Sequence, residues 1–439
     1  MLESAMDRIK YLEGQLFLRD QRIKELESKA TSKNTSLPPS KDITKSSNKY
    51  SLRKKSVKKS GGQEGHKGNS LPFSSTPDMV IEHKVKTCQH CEGDLANRSQ
   101  KVIDRQQVRD IPRIDFHTIE HVQYGIVCPL CQHKNKANLP FESVKSKVQY
   151  GNEISNLVNY LSVRQCLPMA RLREFLNVQY NLKISDGTIN NMLNRKAKEM
   201  EDVHEKIKMI LSQSKTVGSD ETGINLNGKT NWMWVYQNDS FTYFYNSKNR
   251  GFKTIEQIFP KGLPKSVLIT DRWGAQLKTK AREHQICLQH LKRDCKKLIE
   301  VYQSKWAMKL SNLIDKIIDL SKLKKIPLIE KHKIEQSLSK LLESPLSKSP
   351  PKVKTLKDSL SKLQRALTTC LYERYVQPTN NNSEQAIRKI KIKEKISGCF
   401  RSEKGLTSYT LITSVIDSAI KQNIHPFEAI LNPNLVVAK

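Results

Sequence analysis

The sequence predicts a multidomain α/β protein, on three observations. Residues 212–288 are rich in β-formers, with Asn-Gly and Asn-Asp turn signals between runs. Helical patterns flank that stretch on both sides, over 150–205 and 290–377. Two Cys-x-x-Cys pairs lie ahead of it, in a segment with neither periodicity.

Taken in order, residues 1–28 carry heptad spacing. With Leu2 as an a position, the a and d residues are Leu2, Ala5, Ile9, Leu12, Leu16, Arg19, Ile23 and Leu26. A short coiled coil that makes the protein a homo-oligomer fits this seam, as does an amphipathic helix packed on its own chain. Residues 29–75 read as a flexible linker. Between 29 and 72, eleven basic side chains face two acidic ones. Its run RKKSVKKSGGQEGHKG, with Arg53, Lys54, Lys55, Lys58 and Lys59, suits DNA phosphates or else a solvated tail.

Residues 80–140 hold Cys88-Gln-His-Cys91 and Cys128-Pro-Leu-Cys131, two knuckles 36 residues apart. Each offers two thiolates to a tetrahedral ion, so a zinc-ribbon-like module with one structural Zn²⁺ is expected; redox chemistry and core packing are the alternatives. Four thiolates leave no open position, so such a zinc is structural. Cys166, Cys295, Cys370 and Cys399 stand alone and read as packing residues. Within 145–208, Ser185 is placed to N-cap the helix DGTINNMLNRKAKEM after a helix near Met169–Leu176. That pair has the order of a DNA-binding helix-turn-helix, though any two-helix pair would look similar.

Lys and Arg number 76 against 44 Asp and Glu, a net charge of +32. The surplus points to a polyanion, with double-stranded DNA ahead of an anionic membrane surface. No apolar run approaches the ~20 residues of a membrane helix, and the first residues lack the plan of a signal peptide. A cytoplasmic, nucleoid-associated protein is expected, with reduced cysteines.

Three acidic residues carry the chemical reading. Asp220 is placed at the end of the first strand, in TVGSDETG; Asp271 follows the apolar run SVLIT; Glu384 opens a helix after an asparagine loop. Carboxylates on neighbouring elements can hold two Mg²⁺ (or Mn²⁺) ions ~3.5–4 Å apart, which stabilise the attacking and leaving oxygens of a phosphodiester displacement. Arg388 and Lys391 follow Glu384 on the same helix face and suit DNA phosphates, or a surface ion pair. Glu221 points to the other face of the strand and is not chosen as a ligand. Trp232 and Trp234 could stack on an unpaired base, but alternating strand aromatics favour a core role.

These segments resemble the transposases of the insertion sequence 66 family from about Leu12 to Leu431. The most specific are SKNTSLPPSKD, GGQEGHKG, the two knuckles, GSDETG with GKTNWMWVY, and NNNSEQAIRKIKIKEKISGCFRSEKG. The resemblance implies a DDE transposase with a ribonuclease-H-like core, split into 212–288 and 378–432 by a helical insertion at 289–377. It places Asp220, Asp271 and Glu384 on the three acidic positions. It also implies binding of terminal inverted repeats and target DNA, and accessory proteins of the same mobile element. The sequence departs from the usual pattern after Asp271, where Arg272, Trp273, Gly274, Ala275 and Gln276 follow, and at Gln289 within Cys287-Leu-Gln-His290. These departures bear on element specificity. His290 suits the substrate strand, outer waters, or a satisfied core. A DNA-binding protein without catalysis and a nuclease that does not join remain the alternatives.

Overall fold

The computed structural model describes residues 2–29, 71–111, 116–138, 148–346 and 349–438. The basic run from Arg53 to Lys59 lies outside them. The described residues fall into two units, one drawn from 1–52 with 118–439 and the other from 53–117. The first knuckle belongs to the smaller unit and the second to the larger.

Helix α1 spans Leu2–Lys29, in agreement with its heptad spacing. Its side chains Ile9, Leu12, Leu16 and Ile23 are exposed. In the smaller unit, a bridge between Thr87 and Asp94 closes the first knuckle, and Gln107 pairs with both backbone groups of Ser74 at 2.8 Å. In the larger unit, strands β1 (Gly125–Val127) and β2 (Lys134–Lys136) form an antiparallel hairpin over the second knuckle. None of the described residues from 71 to 138 is buried.

The helices α2 (Asn152–Asn159), α3 (Met169–Tyr180) and α4 (Asp186–Glu199) share a small core around Val158, Leu172, Leu176, Ile189 and Met192. Ser185 is the N-cap of α4, its Oγ accepting the Thr188 N–H at 3.1 Å, as the sequence predicts. Helix α5 (Glu201–Ser212) follows and leads into the sheet.

The sheet has five strands: β3 (Thr216–Leu226), β4 (Lys229–Gln237), β5 (Thr242–Ser247), β6 (Leu263–Thr270) and β7 (Ala281–Ile286). Their spatial order is β5-β4-β3-β6-β7, with β3–β5 an antiparallel meander and β6 and β7 parallel to β3. Asn227 and Gly228, at φ 48° and 81°, make the β3–β4 turn. Two positive φ values in succession are what Asn-Gly supplies at least cost. Between β5 and β7 lie the short helices α6 (Phe252–Ile258) and α7 (Gly274–Leu277).

After β7 come α8 (Leu288–Tyr302), α9 (Lys305–Ser321), α10 (Leu328–Glu343), α11 (Pro351–Ser361) and α12 (Gln364–Tyr372). They bury a core of their own that continues onto Val267, Ile269 and Ile286 of the sheet. There follow α13 (Asn381–Ser397), α14 (Glu403–Lys421), α15 (Pro426–Leu431) and a 3-10 turn at Pro433–Val437. Both sheet edges are covered. Ser414 and Ser418 of α14, one turn apart, accept the Phe244 and Thr242 N–H groups of β5 at 2.9 Å. On the far edge, Cys370 of α12 donates its N–H to the Gln285 side chain, and Thr369 donates its hydroxyl to the His284 carbonyl.

His204 on α5 is buried against this sheet, bonded through Nε2 to the Phe244 carbonyl at 3.0 Å and stacked on Tyr243. Burial depresses its pKa to about 4. The unfolded imidazole takes up its proton below ~6.5, so this group's contribution is complete above that pH and is lost as pH falls towards 4. At ~1.36 kcal/mol per pKa unit the loss is about 3 kcal/mol. Denaturant titrations across that range should show a steeper decline for wild type than for His204→Gln, by one proton. Parallel curves would show that His204 titrates normally.

Candidate active site

Asp220 lies at the fifth residue of the eleven-residue strand β3, not at its end as expected from the sequence. The strand runs on through ETGINL because β4 pairs with it from Gly218 opposite Gln237 to Leu226 opposite Lys229. Asp271 follows β6 directly, and its Oδ1 accepts the Trp273 N–H at 2.8 Å. Glu384 sits in the first turn of α13, where a helix N-terminus favours negative charge.

One chain of hydrogen bonds ties the three segments together. The Cys287 N–H donates to the Thr270 carbonyl at 2.7 Å, next to Asp271. The Asn380 N–H donates to Cys287 Sγ at 3.2 Å, at the start of the Glu384 helix. The Asn380 side chain donates to the Ser219 carbonyl at 2.6 Å, next to Asp220. Gly218 makes room for this junction. A Cβ there would stand 2.6 Å from Ser383 Oγ, 2.7 Å from Gln237 Nε2 and 3.0 Å from Asn380 Oδ1.

The result is a concentration of negative charge. The Asp220 carboxyl is pushed up to about 8, first by burial, then by Glu221, with Asp271 and Glu384 adding to it. Opposing these, its own bond from the Glu221 N–H favours the ionised form. A buried carboxylate held beside others is the environment a divalent cation relieves, so the donor set fits hard metal ions. Glu384 has cationic neighbours as well, with Arg293 at 3.4 Å and Arg388 at 3.8 Å.

Glu221 is buried on its own network. Arg250 donates to its Oε1 at 2.8 and 3.0 Å, and Gln276 to its Oε2 at 2.6 Å. The Arg250 guanidinium lies over Trp273 at 3.9 Å and over Trp232 at 4.7 Å. Glu221 therefore links β3 to the segment after Asp271 through Arg250 and Gln276. Trp234 is fully buried, in keeping with a core role, and Trp232 backs Arg250.

The other expected site residues are placed as follows. His290 lies beside Glu384, Nδ1 to Oε1 3.5 Å, without a hydrogen bond to that nitrogen. Burial, followed by the nearby Arg293, lowers its pKa, which keeps the ring neutral. Arg388 is largely exposed, whereas the Lys391 ammonium bonds to the Gly223 carbonyl and to Glu394 at 2.7 Å. Sequence reasoning missed Arg293, Arg250 and Asn380. For Arg293 a signal existed, since it lies one helical turn beyond His290 on α8. Of the lone cysteines, Cys166, Cys295 and Cys370 are buried and Cys399 is partly exposed.

Each knuckle makes the same turn. Cys88 N–H donates to the Gly93 carbonyl and Glu92 N–H to the Cys88 carbonyl; Cys128 and Gln132 repeat this with His133. The residue after the second cysteine is left-handed both times, Glu92 at φ 58° and Gln132 at φ 59°. Backbone N–H groups aimed at Cys88 and Cys128 lower both thiol pKa values.

Asp220 on β3, Asp271 directly after β6 and Glu384 on α13 thus form a cluster of three carboxylates that repel one another. The profile of the family described as "Transposase IS66 family" matches residues 147–408. The chain belongs to the IS66 family of transposases. A second profile, for a family of unknown function (DUF6444), matches residues 2–72. No curated protein matches the chain. Among the described residues, no helix is long and apolar enough to cross a membrane.

Proposed function

We propose that this transposase cuts and joins DNA at a DDE site formed by Asp220, Asp271 and Glu384 on a ribonuclease-H-like core. The observation that carries this is the hydrogen-bond chain through Thr270, Cys287, Asn380 and Ser219, which brings the segments of Asp220, Asp271 and Glu384 together although they lie far apart in sequence. The three carboxylates would hold Mg²⁺ (or Mn²⁺), and a bound pair of such ions supplies Lewis-acid stabilisation and an activated water. Arg293 and the exposed Arg388 flank Glu384 and are placed to hold the phosphate backbone of the strand to be cut. The network of Glu221, Arg250 and Gln276 keeps the Asp271 segment in register with β3. Neutral His290 steadies the Glu384 side of the site and lies near the DNA path.

The basic linker with Arg53, Lys54, Lys55, Lys58 and Lys59 and the helical region 145–208 bind the terminal inverted repeats. Lys391 supports the Glu384 helix from within. The exposed α1 seam is read as the contact that brings two copies, and so two DNA ends, together. Structural Zn²⁺ is the ion proposed for the Cys88, Cys91, Cys128 and Cys131 thiols. Supporting it is the turn that Cys88 and Cys128 each make in the same way.

The test supplies a precut element end carrying a 3′-hydroxyl, a target duplex and Mg²⁺, and measures joined product. Wild type should join, and Asp271→Asn should bind the same DNA without joining. Cleavage of uncut ends with no joined product would make the chain a nuclease instead. Equal joining by both proteins would remove Asp271 from the site.

A further inference from the structure

Cys287, His290 and Glu384 bring one sulfur, one nitrogen and one oxygen within 4.8 Å of one another. We propose that these three side chains form a second, softer metal site that takes Zn²⁺ and shares Glu384 with the carboxylate set. Occupied, it draws Glu384 away from Asp220 and Asp271 and switches cleavage off.

The geometry has the features of a zinc ligand set. Cys287 is the N-cap residue of α8 and His290 stands three residues on, so both side chains emerge from the first helical turn. Burial pushes the Cys287 thiol pKa up, and the Asn380 N–H, 3.2 Å from Sγ, works against that, so a bound cation is what would settle the sulfur as a thiolate. The second, independent feature is His290 Nδ1. It is shut off from solvent, without a hydrogen-bond partner, and lies 3.5 Å from Glu384 Oε1. A buried acceptor left unpaired is costly unless something occupies it. Three protein ligands leave the fourth tetrahedral position to water. On binding, Zn²⁺ replaces the thiol proton of Cys287, which leaves to solvent, and takes the imidazole lone pair and one carboxylate oxygen unchanged.

Selectivity follows from the donors. Mg²⁺ seeks oxygen ligands and has no use for a thiolate, whereas Zn²⁺ accepts sulfur and imidazole readily. The two ions thus compete for Glu384 from different sides. This is separate from the Zn²⁺ proposed for the four knuckle cysteines, which includes neither Cys287 nor His290.

The binding half of the proposal is independent of the transposition reading, and the inhibitory half rests on it. Co²⁺, which reports thiolate ligation through its charge-transfer absorption, is titrated into the full chain as wild type, Cys287→Ser and His290→Asn. Circular dichroism of each variant checks folding. Wild type should bind one thiolate-ligated equivalent more than Cys287→Ser, with the knuckle-derived band common to both, and His290→Asn should bind that equivalent more weakly. Strand cleavage at fixed Mg²⁺ is then measured against rising Zn²⁺, each variant normalised to its own zinc-free rate. Half-inhibition of Cys287→Ser should need about ten times more Zn²⁺, a difference of ~1.4 kcal/mol. Superimposable Co²⁺ titrations of wild type and both folded variants overturn the site, whatever the activity. A cysteine-dependent Co²⁺ band in a protein that never cleaves DNA overturns the transposition reading and leaves the metal site standing.

Discussion

Replacing Asp220 by Asn should raise the stability of the metal-free protein while removing strand cleavage. The folded carboxyl titrates near 8 rather than near the usual 3.8. Its ionisation is therefore disfavoured by folding, and the resulting cost grows as pH rises from about 4 to about 8. Asn removes that cost and still accepts the Glu221 N–H that Asp220 accepts at 2.9 Å. Denaturation without divalent ions at pH 8 should show Asp220→Asn more stable by about 2 kcal/mol, because partial exposure screens much of the ~1.36 kcal/mol per pKa unit. The gap should close near pH 4, where both forms are neutral. Cleavage should fall by about 10³-fold or more, since loss of an ion worth several kcal/mol in the transition state has that effect. Added Mg²⁺ should stabilise wild type and leave the variant unmoved. A variant less stable than wild type at pH 8 would mean that the carboxyl has a partner which offsets its burial.

The second large effect is expected where no carboxylate is touched. Gly218→Val should cost about 2–3 kcal/mol from overpacking and should disable cleavage by displacing α13. The contact atoms belong to Ser383, Gln237 and Asn380, and two of those residues begin the helix that bears Glu384. Misplacing a reacting group by ~1 Å is enough to cost about 10²-fold. Gly218→Ala should do the same more mildly, and adding Ser383→Gly should restore part of its activity by removing the nearest atom, 2.6 Å away. If the Gly218→Ala variant is as active as wild type, the close approach of α13 to β3 does not position Glu384.

How much of this was legible in the sequence depends on the range of the forces involved. Asn227-Gly228 announces the β3–β4 turn because the left-handed conformation is a property of those two residues. Ser185 announces the start of α4 because a cap acts within three residues. The length of β3 was less legible. DETG reads as a strand end, yet β4 continues the ladder across it, and pairing between strands outweighs local preference. The exposed α1 seam repeats its heptad pattern without showing what covers it.

The sequence by itself determined which residue types bear charge and thiol, the turn and cap chemistry, and the membership in the IS66 family that its motifs carry. Only the tertiary structure decided their surroundings. Placing β3 between β4 and β6 sets Asp220 beside the end of β6, and the Cys287–Asn380 tie brings α13 alongside. The same packing surrounds Glu384 with His290 and Arg293, and turns Lys391 inward to the Gly223 carbonyl. No local pattern encodes these contacts, because the partners lie on different elements and meet only when burial of the sheet's two faces brings those elements together.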